Sequence, residues 1–328
     1  MSSQPDRALR SRTRIPSNKF STIGFVAATT AVAVSKNNNP NLGAFALPVS
    51  KPTTTRPTKN RWNLVSPPRS KRKSEDSEKK TPQRSKTKKV VEETTSFGAL
   101  TAENFTTLKD NDIKIHTLIL GTHPSVTSLE KSQYYGHNMN AFWYIAGDCL
   151  GFRRNSGVSP SSGKPYKFSS FLRYDNIIPY EQQIELLCSK GFAIWDVVKA
   201  CERPGSLDQD ITKDEPNDIP GFVERHPTVR RIVLANGASG CGFFKKHFSW
   251  WLDSGEVVPG KTEGSQTAFK KWKESGPSDH AIECISALAV SPAAATYTYE
   301  QKRDFWEEFV YKPGLKDHKE LQKPDRRY

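Results

Sequence analysis

Residues 118–143 read LILGTHPSVTSLEKSQYYGHNMNAFW, and this stretch decides the fold. The apolar run Leu118-Ile119-Leu120 stops at Gly121, Pro124 follows, and a polar, tyrosine-bearing segment leads into Asn140-Ala141-Phe142-Trp143. A short continuous apolar run ended by glycine and proline has the signature of a strand buried on both faces. The polar segment then reads as the loop beyond its carboxyl end, and Asn140 opens a helix. In parallel α/β sheets ligands sit beyond the carboxyl ends of the strands. Carboxamide, hydroxyl and aromatic groups therefore fall where a site would lie.

Working outward, apolar runs at 113–120, 192–197, 230–235 and 282–288 read as buried strands. Helix-like stretches at 140–150, 179–190, 218–225, 242–252, 266–274 and 299–310 alternate with them. Alternating strands and helices predict a parallel sheet covered on both faces. The expected architecture is a three-layer α/β/α sandwich with a small central parallel sheet. Residues 153–170, rich in Ser, Gly and Lys, read as an extra surface loop, and 254–264 as a second polar insertion. Arg153, Arg154, Lys164, Tyr166 and Lys167 of the first loop either face a polyanion or decorate the surface.

Charge divides the chain. Residues 1–90 hold 20 Lys and Arg against 4 Asp and Glu, whereas 91–328 hold 29 against 31. The overall charge of +14 thus belongs to the first 90 residues. That region is too polar to bury the surface that would offset chain entropy, so a disordered basic tail is expected there, ahead of one folded domain over 91–328. Its clusters Lys71-Arg72-Lys73 and Lys86-Thr87-Lys88-Lys89 suit nuclear import and attraction to phosphates, or simply a solvated linker. The run FSTIGFVAATTAVAV at 20–34 follows several arginines in an acid-poor stretch, which equally suits an organellar transit signal, mitochondrial or plastid. It is too short and too Thr-rich to span a membrane. Five widely spaced cysteines with no CxxC pair suggest reduced thiols rather than a disulfide framework or a zinc site. GxGxxG and GxxxxGK[ST] are both absent, which argues against dinucleotide and P-loop chemistry.

The opening stretch resembles the first motif of the uracil-DNA glycosylase superfamily. It is most similar to the hypoxanthine-DNA glycosylase branch, with its LILGS-x-PG-x-x-SL and QYY-x-H-x-x-NAFW pattern. GFAIWDVVKACERPGSLDQDI at 191–211, the run from Asn217 through His226-Pro227 to Asn236-Gly237, and SPAAATYTYEQKRDFW at 291–306 resemble later blocks of that branch, in order. Together they cover about residues 112–310. The resemblance implies a monofunctional enzyme, a monomer acting on double-stranded DNA, that hydrolyses the N-glycosidic bond of a deaminated base with no metal or cofactor. Hypoxanthine is the favoured base, and uracil or mismatched thymine comes next. No lysine stands in a Schiff-base context, so strand cleavage is not expected.

Such an enzyme must rotate its target out of the base stack into a pocket. The resemblance makes Asn140 the catalytic carboxamide; helix capping is the plainer role for an Asn there. His123 stands where a related branch carries a water-positioning Asn, and an acid role competes with simple backbone bonding. His137 is placed to orient the same loop. Tyr135 and Phe142 are candidates to stack the extruded base, with core packing as the alternative. Asp196, at the end of the second strand, is a candidate to read the base edge, and Asn236 ends the next strand. Ser291, with Ser125 and Gly121, is expected to meet DNA phosphates. The late loop departs from the branch pattern: Ala294 replaces its usual Asn, and Ala289-Val290 its usual Ser-Thr. Those lost donors leave open a catalytically weakened fold that only binds damaged or structured DNA.

Overall fold

The computed structural model describes residues 92–273 and 280–323. In chain order come β1 (Glu92–Thr95), β2 (Thr117–Gly121), α1 (Val126–Lys131), α2 (Phe142–Leu150), α3 (Tyr180–Ser189), β3 (Phe192–Asp196), β4 (Val198–Arg203) and β5 (Thr212–Pro216). They are followed by α4 (Ile219–Arg225), β6 (Arg231–Leu234), α5 (Ala238–Asp253), β7 (Val257–Pro259), α6 (Glu263–Ala268), β8 (Ile282–Ser286), α7 (Tyr299–Trp306) and α8 (Lys312–Leu321). The expectations about residues 1–90, their disorder and their targeting signals, lie outside the described residues.

Five strands form one parallel sheet in the order β3-β2-β6-β8-β7. Side chains alternate across a strand, so the two faces separate by parity. Leu118, Leu120, Ile232, Leu234 and Cys284 join one cluster with Phe222 of α4 and with Phe244, Phe248 and Trp251 of α5. On the other face Phe192 packs against Tyr311, and Phe142 of α2 meets Trp306 of α7 edge-on at 5.8 Å. The three-layer α/β/α sandwich expected from the sequence is the architecture found.

Helix starts follow local chemistry. The Asp218 carboxylate accepts from Gly221 N at 3.0 Å and starts α4. Thr298 and Gln301 cap each other reciprocally at the start of α7. α5 begins four residues before the expected 242, immediately after Gly237, whose φ of 56° turns the chain in from β6. The expected helix at 266–274 divides into α6, started by Thr262, and a 3-10 turn at Lys270–Trp272. Four strands were not anticipated. β7 lies inside the supposed polar insertion at 254–264. β1, β4 and β5 form a separate antiparallel sheet in the order β1-β4-β5. The thiols of Cys188, Cys201, Cys241 and Cys284 are buried and free, and Cys149 is half-buried and free. Among the described residues no helix is long and apolar enough to cross a membrane.

Candidate active site

β3 lies on one side of β2, and every later strand of the parallel sheet lies on the other. The winding therefore reverses between β2 and β6, which opens a crevice beyond their carboxyl ends. A cavity of about 60 Å³ occupies that position. At about 30 Å³ per molecule of liquid water, it has room for roughly two waters. Eight of the nine residues singled out from the sequence line it: Gly121, His123, Ser125, Tyr135, Asn140, Asp196, Asn236 and Ser291.

Two buried polar atoms in its wall lack hydrogen-bond partners among the described residues: the Tyr135 hydroxyl and Asp196 Oδ2. Both side chains lie against Gly121, where a β-carbon would run into the Asp196 carboxyl and come within 3.4 Å of the Tyr135 oxygen. Burial pushes the Asp196 carboxyl up from 3.8 to about 8; Asp208 reinforces this and Arg203 opposes it. At neutral pH Asp196 is thus a neutral acid, able to donate and accept. Burial, and then the nearby Asp196, also raises the Tyr135 phenol well above its ordinary value. Tyr135 adopts a left-handed backbone at φ 54°, a conformation that costs a non-glycine residue about 1–3 kcal/mol.

The segment from Tyr135 to Asn140 is pinned from several sides. Arg154 donates to the carbonyls of Tyr135 at 3.2 Å, His137 at 3.0 Å and Asn140 at 3.0 Å. Lys131 donates to Gly136 O at 3.0 Å and to Asn138 Oδ1 at 2.9 Å, and the Ser128 hydroxyl accepts from Gly136 N at 3.0 Å. Asn140 Oδ1 accepts from Phe142 N at 2.9 Å. The carboxamide thus lines the cavity and accepts from the first residue of α2, one position ahead of the N-cap Ala141. Its oxygen keeps a second lone pair and its NH2 group remains available.

His123 lines the cavity with both ring nitrogens occupied. Val198 O lies 3.1 Å from Nδ1, so Nδ1 carries the proton, and Nε2 accepts from the Thr94 hydroxyl at 2.9 Å. Burial lowers its pKa and keeps the ring neutral. Of the two roles weighed for it, the geometry matches backbone bonding: it ties β1 and β4 to the first loop. Phe142 does not line the cavity. It is fully buried and stacks under Tyr135, with centroids 4.2 Å apart, so it backs the wall rather than touching a base. Gly121 is buried beneath Asp196, where it makes space for a carboxyl. The Ser125 hydroxyl starts α1 by accepting from Ser128 N at 3.2 Å. Ser291 Oγ accepts from Ala293 N at 3.3 Å and stays half-buried at the rim. Asn236 donates to Thr122 Oγ1 at 3.1 Å and to Asp208 at 3.3 Å. Arg153 and Arg154, weighed between facing a polyanion and decorating the surface, turn inward; Arg153 pairs with Asp175 at 2.6 Å.

Among the described residues no three His, Cys, Asp or Glu side chains converge as a metal site requires. No family model matches the chain. Two curated proteins named hypoxanthine DNA glycosylase are similar to it. The one from Methanosarcina acetivorans is 29% identical over 164 residues, 50% of this chain and 89% of its own length. The one from Methanosarcina barkeri is 31% identical over 126 residues, 38% of this chain and 66% of its own. The chain is thus similar to the hypoxanthine-DNA glycosylase branch of the uracil-DNA glycosylase superfamily. A solved Methanosarcina acetivorans structure, 22% identical, covers 68% of this chain and 99% of its own with a TM-score of 0.43.

Several residues of this site carry no role in the sequence reading. Arg203 and Asp208 fall in the block at 191–211, yet no role was read for them. The Arg203 guanidinium is buried, donates to Pro124 O and lies 3.8 Å from Asp208, which lines the cavity. Asn217 donates to Asp196 O at 2.9 Å and so fixes the strand end that carries the acid. The likeness of the block at 191–211 to the family pattern was the available signal for Arg203.

Proposed function

We propose that this chain is a monofunctional DNA glycosylase that releases hypoxanthine from double-stranded DNA as a monomer, with uracil or mismatched thymine next in preference. One observation carries the proposal: a buried acid and a buried phenol, each with an oxygen unpartnered among the described residues, face the same cavity beside a carboxamide. Leaving such groups unpaired costs about 1–3 kcal/mol each, which a ligand with matching donors and acceptors recovers. Hypoxanthine presents adjacent N–H and carbonyl groups, and protonated Asp196 complements that pair. Uracil presents the same pair on a smaller ring. Tyr135, backed by Phe142, supplies the aromatic wall. The base enters only when extruded from the duplex, and side chains must part to admit it into so small a space.

Hydrolysis breaks the bond between base nitrogen and C1′ and forms one from water oxygen to C1′. The base leaves with the bonding electrons, and the proton lost by water balances the one the base takes up. Asn140 orients that water and need not be a strong base, because the sugar is already cationic as the base departs. The rim around Ser291 meets the DNA backbone. Its missing donors at Ala289, Val290 and Ala294 favour the second reading, a fold that binds damaged DNA without cleaving it. Treating duplexes that carry hypoxanthine, uracil or xanthine with the protein and then with alkali separates the two. Breakage at hypoxanthine, abolished by Asn140→Ala with binding retained, supports the enzyme; binding without breakage selects the alternative. For residues 1–90 we infer a nuclear address. Fusion of that segment to a fluorescent protein tests it, and accumulation in mitochondria or plastids would overturn it.

A further inference from the structure

A second and larger cavity, about 540 Å³, adjoins the first. It runs between the extra loop at 153–170 and the loop that follows Ser291, and Ser291 lines both cavities. The extra loop is a built surface rather than a loose one. Ser159 N donates to Lys164 O at 2.9 Å and Tyr166 N to Gly157 O at 2.8 Å. Tyr166 stacks on Phe168 with centroids 5.4 Å apart, and Phe168 stacks on Tyr299 at 5.1 Å. Tyr299 is anchored in turn through its hydroxyl to Asp148 at 2.9 Å. The row therefore starts in the core and ends at a half-exposed ring, Tyr166.

Charge points the same way. Lys164, Lys167 and Lys302 line this groove, and no acidic side chain does so among the described residues. Lys302 is buried and donates to Ala294 O at 2.7 Å, which holds the late loop. Lys164 and Lys167 are exposed and form no ion pair among the described residues. An aromatic row ending in an open ring, flanked by free cations, is how proteins hold unpaired nucleotides: bases stack while phosphates meet lysines.

We propose that this groove takes the nucleotide next to the extruded one, unstacked from the duplex, with its base on Tyr166 and its phosphates on Lys164 and Lys167. The geometry rests on the glycosylase reading for the direction of the strand, but the groove binds an opened strand whether or not a base is released. The protein is therefore expected to prefer single-stranded and bubble DNA over closed duplex.

The test uses the full chain and fluorescent lesion-free oligonucleotides, single-stranded, duplex and bubble, titrated at several salt concentrations. Tyr166→Ala should weaken single-strand binding about tenfold, and Tyr166→Phe should restore it. Lys164→Ala with Lys167→Ala should flatten the slope of log affinity against log salt by about 1.4. Wild-type affinity and slope in these variants, or equal affinity for bubble and closed duplex, would overturn the proposal. Should Tyr166→Ala melt early, the Phe variant and the salt slope decide. Base release is assayed alongside: release with a silent groove defeats only this inference, and a responsive groove without release defeats only the enzymatic reading.

Discussion

Replacing Asp196 with asparagine tests the chemistry of the site most directly. Burial raises this carboxyl from 3.8 to about 8. Between those values the folded chain binds a proton that the unfolded chain has released. Stability therefore falls as pH rises through that window, and the loss is complete only above pH 8. Each pH unit of such a difference corresponds to about 1.4 kcal/mol, so by pH 7 the folded state has lost about 4 kcal/mol relative to acid conditions. Asparagine keeps the shape and cannot ionise. Asp196→Asn should accordingly gain on the wild type as pH rises, from near parity at pH 4 to an advantage of up to about 4 kcal/mol at pH 7. Urea denaturation at pH 4, 5.5, 7 and 8.5 reads this directly. Base release should behave oppositely: wild-type activity declines above about pH 8 as the acid loses its proton, and the variant is impaired at every pH. A stability difference that stays constant from pH 4 to pH 8.5 would mean an ordinary carboxylate, and the donor role assigned to Asp196 would fall with it.

Three further outcomes follow from the geometry. Arg154→Met removes three donors from the Tyr135–Asn140 segment; because misplacing a catalytic group by about 1 Å costs roughly 100-fold, kcat should drop by that order while DNA affinity in gel shifts changes little. His123→Ala strands Val198 O and the Thr94 hydroxyl, so chemical denaturation should show a loss of about 2–4 kcal/mol with near-normal turnover at low temperature; a collapse of kcat with intact stability would restore His123 as a catalytic group. Gly121→Ala drives a methyl group into the Asp196 carboxyl, and overpacking of this kind costs about 1–3 kcal/mol, with base release lost in the alkali assay.

Legibility from sequence followed the physics of each element. β2, β3, β6 and β8 announce themselves because strands buried on both faces must be continuously apolar. β4 is hidden because it follows β3 with only Val197 between them and carries Lys199, Glu202 and Arg203, so the apolar run ends before it and no turn signal marks a new strand. β5, Thr-Lys-Asp-Glu-Pro, carries no apolar signal, and its place comes from backbone pairing with β4. At the site, Asn140, Asp196 and Asn236 were readable as polar residues ending apolar segments or opening a helix. Arg154 was not, because its targets are main-chain carbonyls, which leave no trace in side-chain type. Phe142 and Gly121 were assigned to ligands although packing claims them; an aromatic residue on a helix and a glycine after a strand have the same signature in either role.

The unfavourable features of this fold share one location. The left-handed Tyr135, its unpartnered hydroxyl and the unpartnered acid Asp196 all meet over Gly121. Strain of this kind persists only where the surroundings over-determine it. Here Arg154, Lys131 and Ser128 fix the tyrosine segment, Asn217 fixes the strand end, and His123 joins the antiparallel sheet to the loop. A core selected for stability alone would place apolar groups at 135 and 196. Retaining polar groups at both positions concentrates the cost on the few atoms that would face an extruded base. Substitutions there should stabilise the chain as they disable it, whereas substitutions in the surrounding clamps should cost activity or stability and stabilise nothing.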